Sequence, residues 1–219
     1  APWTSHCPIH FVPLHLPLTP LDSLRHSRSP DGKPQFRRGG PRVVASLGWT
    51  GADRFVWDYW HVPGQYTALR TPAWTYFPPS IYRAFHQRLV RWGRETLGCH
   101  DISPPWLSLY VEGCRQELHA DLPHGPWAFV FSLTNWRHRT FRGGETVLVR
   151  EEVLDFWHDF ASVRGIEQRE LIRTVEPKLN RLTVFDPRIP HGVRTVTGTH
   201  DPREGGLVVH GWSLQPRPF

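Results

Sequence analysis

A histidine and an aspartate two positions apart, His119 and Asp121 in Leu118-His119-Ala120-Asp121, are answered about seventy residues later by His191 in Ile189-Pro190-His191-Gly192. On an extended strand, residues i and i+2 share a face, so the triplet can present an imidazole nitrogen and a carboxylate oxygen side by side. A third ligand from a neighbouring strand carrying His191 would cover one face of a metal ion and leave the opposite positions open. Two histidines and one carboxylate in that facial arrangement suit Fe(II), and open positions are where chemistry takes place. Chance is the competing account. The chain has 14 histidines in 219 residues, enough for such a set to arise at random, so the surrounding elements must decide.

Those surroundings read as strands that deliver the three side chains. Upstream, Leu107-Ser-Leu-Tyr110-Val-Glu-Gly113 is an apolar strand and a turn, and downstream come Phe129-Val-Phe-Ser-Leu133 and Gly143-Gly144-Glu145-Thr146-Val-Leu-Val149. Arg181-Leu-Thr-Val-Phe185-Asp-Pro then leads into Pro190-His191-Gly192-Val193-Arg194-Thr195-Val196, followed by Arg203-Glu-Gly-Gly-Leu207-Val-Val-His210-Gly-Trp212.

The order Tyr-x-x-Gly, His-x-Asp, Gly-Gly-Glu-Thr, Phe-Asp-Pro, Pro-His-Gly-Val, then Arg before a Leu and a Trp, resembles the prolyl-4-hydroxylase-like branch of the Fe(II)/2-oxoglutarate-dependent oxygenases. The match runs from about Trp106 to Trp212, half of the chain. The resemblance implies that His119, Asp121 and His191 bind Fe(II), with 2-oxoglutarate as co-substrate and O2 as oxidant. It places Arg203 where the family puts the basic residue that holds the far carboxylate of 2-oxoglutarate, a task suited to a planar guanidinium. Arg194 is the rival anchor, and the only lysines, Lys33 and Lys178, both precede His191. Tyr110 matches a position that can hydrogen-bond the co-substrate. Gly205 stands where a Ser or Thr is common, so a second hydrogen bond would come from Thr146, Thr195 or Thr197. The implied reaction hydroxylates an unactivated C–H bond with release of succinate and CO2. Halogenating relatives put a small residue where Asp121 stands, which favours hydroxylation. The implied substrate is an amino acid, a peptidyl residue or an amino-acid-derived natural product.

The totals bound the rest. A chain of 219 residues suits one domain with a substantial core. With 11 Trp and 12 Phe a folded protein is expected, and 22 Pro with 18 Gly favour turns and short strands over long helices. At least eight short strands around one strong helix predict a mainly β jelly roll, the double-stranded β-helix, with the metal between its two sheets. The expected organisation is a Pro-rich arm and first strands over 1–79, a buttressing helix over 80–98 and the jelly-roll core over 105–214. Pro78-Pro79 stops the preceding segment, Ser80 can cap the helix over 81–97, and Gly98 ends it. Ile81, Phe85, Leu89 and Trp92 form its apolar stripe against exposed Arg83, Arg91 and Arg94.

No apolar run reaches the roughly 18 residues of a membrane span, no secretory signal is recognisable, and Cys7, Cys99 and Cys114 are too few and scattered for a disulfide framework. A cytoplasmic protein is the expectation. The net charge of +6 and the basic segment 25–42 could suggest nucleic acid, but without interleaved aromatics the segment reads as a solvated loop or arm, and nucleic acid is disfavoured. His6, Cys7, His10 and His15 lack the second half of a zinc motif. The run from Asn135 to Arg142 is rich in cations and aromatics, so Trp136, Arg137 and Arg139 are candidate substrate contacts, with an anionic group on a small-molecule or peptidyl substrate. Residues 151–165 read as a short helix or inserted lid. Three other functions keep part of the pattern: a noncatalytic jelly-roll binding module, a nucleic-acid or protein demethylase using the same triad, and a cupin-type enzyme independent of 2-oxoglutarate.

Overall fold

The computed structural model of the chain describes residues 10–13, 34–39, 42–47, 55–121, 124–150 and 171–216, with side chains from residue 57 onward. The first strands are β1 (His10–Pro13), β2 (Pro34–Gly39), β3 (Arg42–Leu47), β4 (Phe55–Val62) and β5 (Tyr66–Pro72). A single helical turn α1 (Ala73–Tyr76) and the helix α2 (Pro79–Leu97) follow, and then β6 (Asp101–Ile102). Eight further strands complete the described chain: β7 (Trp106–Tyr110), β8 (Arg115–His119), β9 (Trp127–Ser132), β10 (Thr146–Val149), β11 (Ile172–Val175), β12 (Arg181–Phe185), β13 (His191–Val193) and β14 (Gly206–Leu214).

These eight divide between two four-stranded halves. One half runs β12-β9-β14-β7 and the other β8-β13-β10-β11, all antiparallel. β5 joins them, pairing with β7 through Leu69–Pro72 and with β8 through Tyr66 and Thr67. The result is a curled sheet folded on itself, the expected double-stranded β-helix.

Period-two alternation assigns each strand of the first half two jobs. Leu107, Leu109, Leu207, Val209, Phe129, Phe131, Leu182 and Val184 bury one face in a core with α2. Their neighbours Ser108, Tyr110, Val208 and His210 stand on the opposite face, toward the other half of the roll. α2 covers the outside because Phe85, Leu89 and Gly93 repeat every four residues along one buried stripe, with Ile81 and Trp92 partly buried beside it. Phe85 meets Phe131 with ring centroids 5.5 Å apart. Gly98 ends the helix in the left-handed region at φ 65°, where an L side chain is strained.

Three expectations are corrected. Ser80 lies inside the first turn of α2, whose N-cap is Pro78; Pro79 takes the first helical position, where its missing N–H is no loss. The basic segment is not a loop throughout: Pro34–Gly39 pairs with Arg42–Leu47 as a hairpin, and β3 in turn pairs with β4. The strand carrying His191 stops at Val193 and does not continue to Val196. The expected lid over 151–165, most of the Pro-rich start and residues 25–33 lie outside the described residues.

Truncating the helix stripe separates scaffold from site. Leu89→Ala should lower stability by about 2–5 kcal/mol, seen as a lower urea midpoint at unchanged m-value. An unchanged midpoint would show that α2 does not buttress the sheet.

Candidate metal centre

β8 and β13 run antiparallel with His119 directly opposite His191. Their rings lie 4.5 Å apart between centroids. That closeness needs a bare backbone at the next position, because a Cβ on Gly192 would fall 2.6 Å from the Gln116 carbonyl oxygen. β8 ends at His119, so Asp121 is not on the strand as expected from the i, i+2 spacing. It is held just beyond the strand, its amide donating to the Pro187 carbonyl at 2.9 Å.

The Pro187 turn is itself clasped. The buried Asp186 carboxylate accepts from the Arg188 amide at 2.9 Å and from its guanidinium Nε at 2.8 and 2.9 Å. The Ile189 amide donates back to the Asp186 carbonyl at 3.1 Å, and the chain then enters β13 at His191. One turn therefore positions both Asp121 and His191.

Each imidazole is oriented by a backbone carbonyl. His119 Nδ1 lies 2.9 Å from the Glu117 oxygen and His191 Nδ1 lies 2.9 Å from the Ile189 oxygen. A proton on Nδ1 satisfies each carbonyl and turns Nε2 inward, the atom that donates to Asp121 when protonated and offers its lone pair to a metal when not. Nε2 of His119 is 3.5 Å and Nε2 of His191 3.4 Å from the two Asp121 carboxylate oxygens. Phe185 meets the His191 ring edge to face at 4.8 Å and fixes its plane. All three ligand atoms lie within 4.8 Å of one another, with His191 buried and Asp121 half-buried. Burial pushes the Asp121 carboxyl up, but the His191 hydrogen bond and the charges of His191, His119 and His124 outweigh it and hold the group below its usual value. Two imidazole nitrogens and a carboxylate converging from one side are the donor set that suits Fe(II) with coordination positions to spare.

The three open into a cavity of about 410 Å³ between the two halves of the roll, lined also by Arg70, Tyr110, Thr146, Val208, His210 and Trp212. Two of its polar groups are kept neutral. Burial, with help from the Arg70 charge, drives His210 down to about 3, and its Nε2 lies 2.8 Å from the Ser108 hydroxyl. Burial pushes the Tyr110 phenol up to about 12.

No family model and no curated protein matches the chain. Solved structures do. The chain is similar to a prolyl-4-hydroxylase from Pseudomonas putida at 17% identity and TM-score 0.47, over 69% of this chain and 74% of that one. It is similar to a 2OG-Fe(II) oxygenase family oxidoreductase from Burkholderia pseudomallei at 16% identity and TM-score 0.46, over 90% and 78% of the two chains. It is also similar to the non-heme alpha-ketoglutarate-dependent epimerase SnoN of nogalamycin biosynthesis at 15% identity and TM-score 0.45, over 71% and 65%.

The structure brings His119, Asp121, His191, Tyr110, Thr146 and Trp136 to the cavity. It does not bring Arg203 there. Arg203 is exposed, its Nε 2.9 and 3.0 Å from the two Asp201 oxygens, beside a separate shallow depression. A partner two residues away captures the side chain at the surface before β14 begins. Arg137 and Arg139 also lie exposed outside the cavity. Arg139 folds back over the Trp136 ring at 3.8 Å and donates to its carbonyl, while the 3-10 turn Trp136–His138 buries the indole. Thr195 and Thr197 do not line the cavity, and neither does Arg194. Sequence reasoning missed Arg70, and treated His210 as a spare histidine. The alternation Tyr66, Ala68, Arg70 along one face of the strand was the available signal.

Loosening the supports should weaken the metal before it unfolds the protein. Asp186→Asn should lower Fe(II) affinity about 10–100-fold, and Gly192→Ala should do the same by forcing β13 from β8; unchanged affinity by equilibrium dialysis in both would contradict the geometry. His210 adds a pH dependence. Its folded value lies below its ordinary one, so below about 6.5 the unfolded chain gains a proton that the folded chain refuses, and stability falls by up to ~1.4 kcal/mol per pH unit from this residue. Chemical denaturation between pH 7 and 4.5 should show His210→Gln losing stability less steeply than the parent; equal slopes would exclude His210 as the source.

Proposed function

We propose that this protein is an Fe(II)- and 2-oxoglutarate-dependent oxygenase that hydroxylates a C–H bond of an amino acid, a peptidyl residue or an amino-acid-derived natural product. The observation that supports the reading best is the convergence of His119 Nε2, His191 Nε2 and the Asp121 carboxylate at the edge of the cavity. The order of the motifs around the three ligands, from Tyr110 to Trp212, also supports it.

His119, His191 and Asp121 would hold Fe(II). When bound, iron and 2-oxoglutarate supply the activation of O2 that functionalises an unactivated C–H bond, with succinate and CO2 as coproducts. The chain's own residues do the remaining work. The Glu117 and Ile189 carbonyls keep both Nδ1 protons in place, so the imidazoles stay aimed without rearrangement. Asp121 would fill the third protein position, its carboxyl held below its usual value. Phe185, Val208 and Trp212 wall the cavity with apolar surface that limits water beside the ion. Tyr110 and Thr146 offer neutral hydroxyls for orienting a bound molecule, and Trp136 supplies an indole at its margin.

The test is anaerobic titration of the Fe(II)-loaded protein with 2-oxoglutarate, followed by admission of air. A weak visible charge-transfer band and then succinate are expected in the parent, and both should vanish in His191→Ala and Asp121→Ala. Folded, iron-loaded protein that forms neither band nor succinate would exclude a 2-oxoglutarate site.

A further inference from the structure

We infer that Arg70, on β5, is the carboxylate anchor of the cavity, holding the far end of a five-carbon 2-oxo dicarboxylate in place of Arg203; this rests on the oxygenase reading of the same site. Among the described residues, Arg70 is the one Arg or Lys that lines the cavity. Its Nε is buried and has no hydrogen-bond partner, and no ion pair of its guanidinium is formed among the described residues. A half-buried cation whose buried donor is unused is costly to the fold unless something anionic completes it.

The guanidinium is nonetheless held in place. It lies 5.6 Å from the Trp60 ring centroid and 5.5 Å from that of Tyr66, a cation–π cradle that fixes its plane without consuming its donors. Pairing across the sheet puts Arg70 opposite Ser108 and Ser108 opposite Val208, so all three share the inward face. Next along that face stand Tyr110 and the Ser108–His210 pair, all of them neutral hydrogen-bonding groups. The cavity's other charged groups are Asp121, at the metal centre, and Glu117, which is paired with Arg115 at 2.7 Å. The cavity thus carries an unengaged cation on one wall and a metal-ligand triad on another. A molecule that chelates a metal through a 2-oxo carboxylate at one end and bears a second carboxylate at the other matches both. Arg203 competes for this role poorly, because Asp201 already occupies its guanidinium outside the cavity.

Calorimetric titration of the Mn(II)-loaded full chain without O2 separates the possibilities. The ligands are 2-oxoglutarate and 2-oxovalerate, which keeps the chelating end and replaces the second carboxylate by a methyl group. Arg70→Ala, and Arg70→Gln as the variant that retains the stem against Trp60, should weaken 2-oxoglutarate about 30-fold or more. Both should leave Mn(II) and 2-oxovalerate affinity at the parental value, and Arg203→Ala should bind 2-oxoglutarate as the parent does. Parental 2-oxoglutarate affinity in the Arg70 variants, or equal loss of both ligands, would overturn the assignment while leaving the oxygenase reading intact. A parent that binds Mn(II) but neither oxo acid would overturn that reading, and the assignment with it.

Discussion

The structure depends on how closely β8 and β13 approach. His119 and His191 face one another only because the backbone at Gly192 has no side chain to hold the strands apart, the nearest carbonyl oxygen being 2.6 Å from where a Cβ would stand. The cost of placing three polar ligands together is met by local bonds. Each imidazole uses Nδ1 on the backbone carbonyl two residues before it, and the Asp186–Arg188 clasp fixes the turn that carries Pro187 toward Asp121 and Ile189 toward His191. None of these contacts uses the inward-facing atoms, so the ligand face stays free for an ion.

The rest of the fold is arranged to make one side of a sheet dry and the other side useful. The same strands that bury Leu107, Leu109, Leu207 and Val209 beneath α2 turn Ser108, Tyr110, Val208 and His210 inward. Because the side-chain period is two, a one-residue slip would exchange the two sets, and burial of the apolar set therefore sets the register of the cavity. His210 and Tyr110 are tolerated there as neutral groups, one kept unprotonated and the other kept protonated by burial.

Much of this was legible in the sequence, and the reasons differ by residue. That His119, Asp121 and His191 come together could be anticipated because each sits in a short motif whose chemistry tolerates few residue types. The helix could be read because Phe85 and Leu89 repeat at helical spacing and Gly98 stops them; its start was misread because Ser80 resembles a cap while Pro79 already satisfies the first turn. The jelly roll followed from eight short strands, although their pairing order did not. Arg203 was chosen by its distance from His191 along the chain, and chain distance does not report the Asp201 contact that turns it outward. Arg70 was invisible for the complementary reason. It lies before α2 and about fifty residues from His119, joined to the site only through long-range pairing of β5 with β7 and β8.

The central claim is that His119, Asp121 and His191 form one metal site, and titration with Co(II), read by its visible ligand-field absorption and by metal content, tests it most directly. The account predicts one tightly held ion per chain, with the absorption lost or strongly weakened on replacing any of the three by Ala while the fold persists. Absorption that survives all three substitutions, or a parent that retains no metal after desalting, would contradict it.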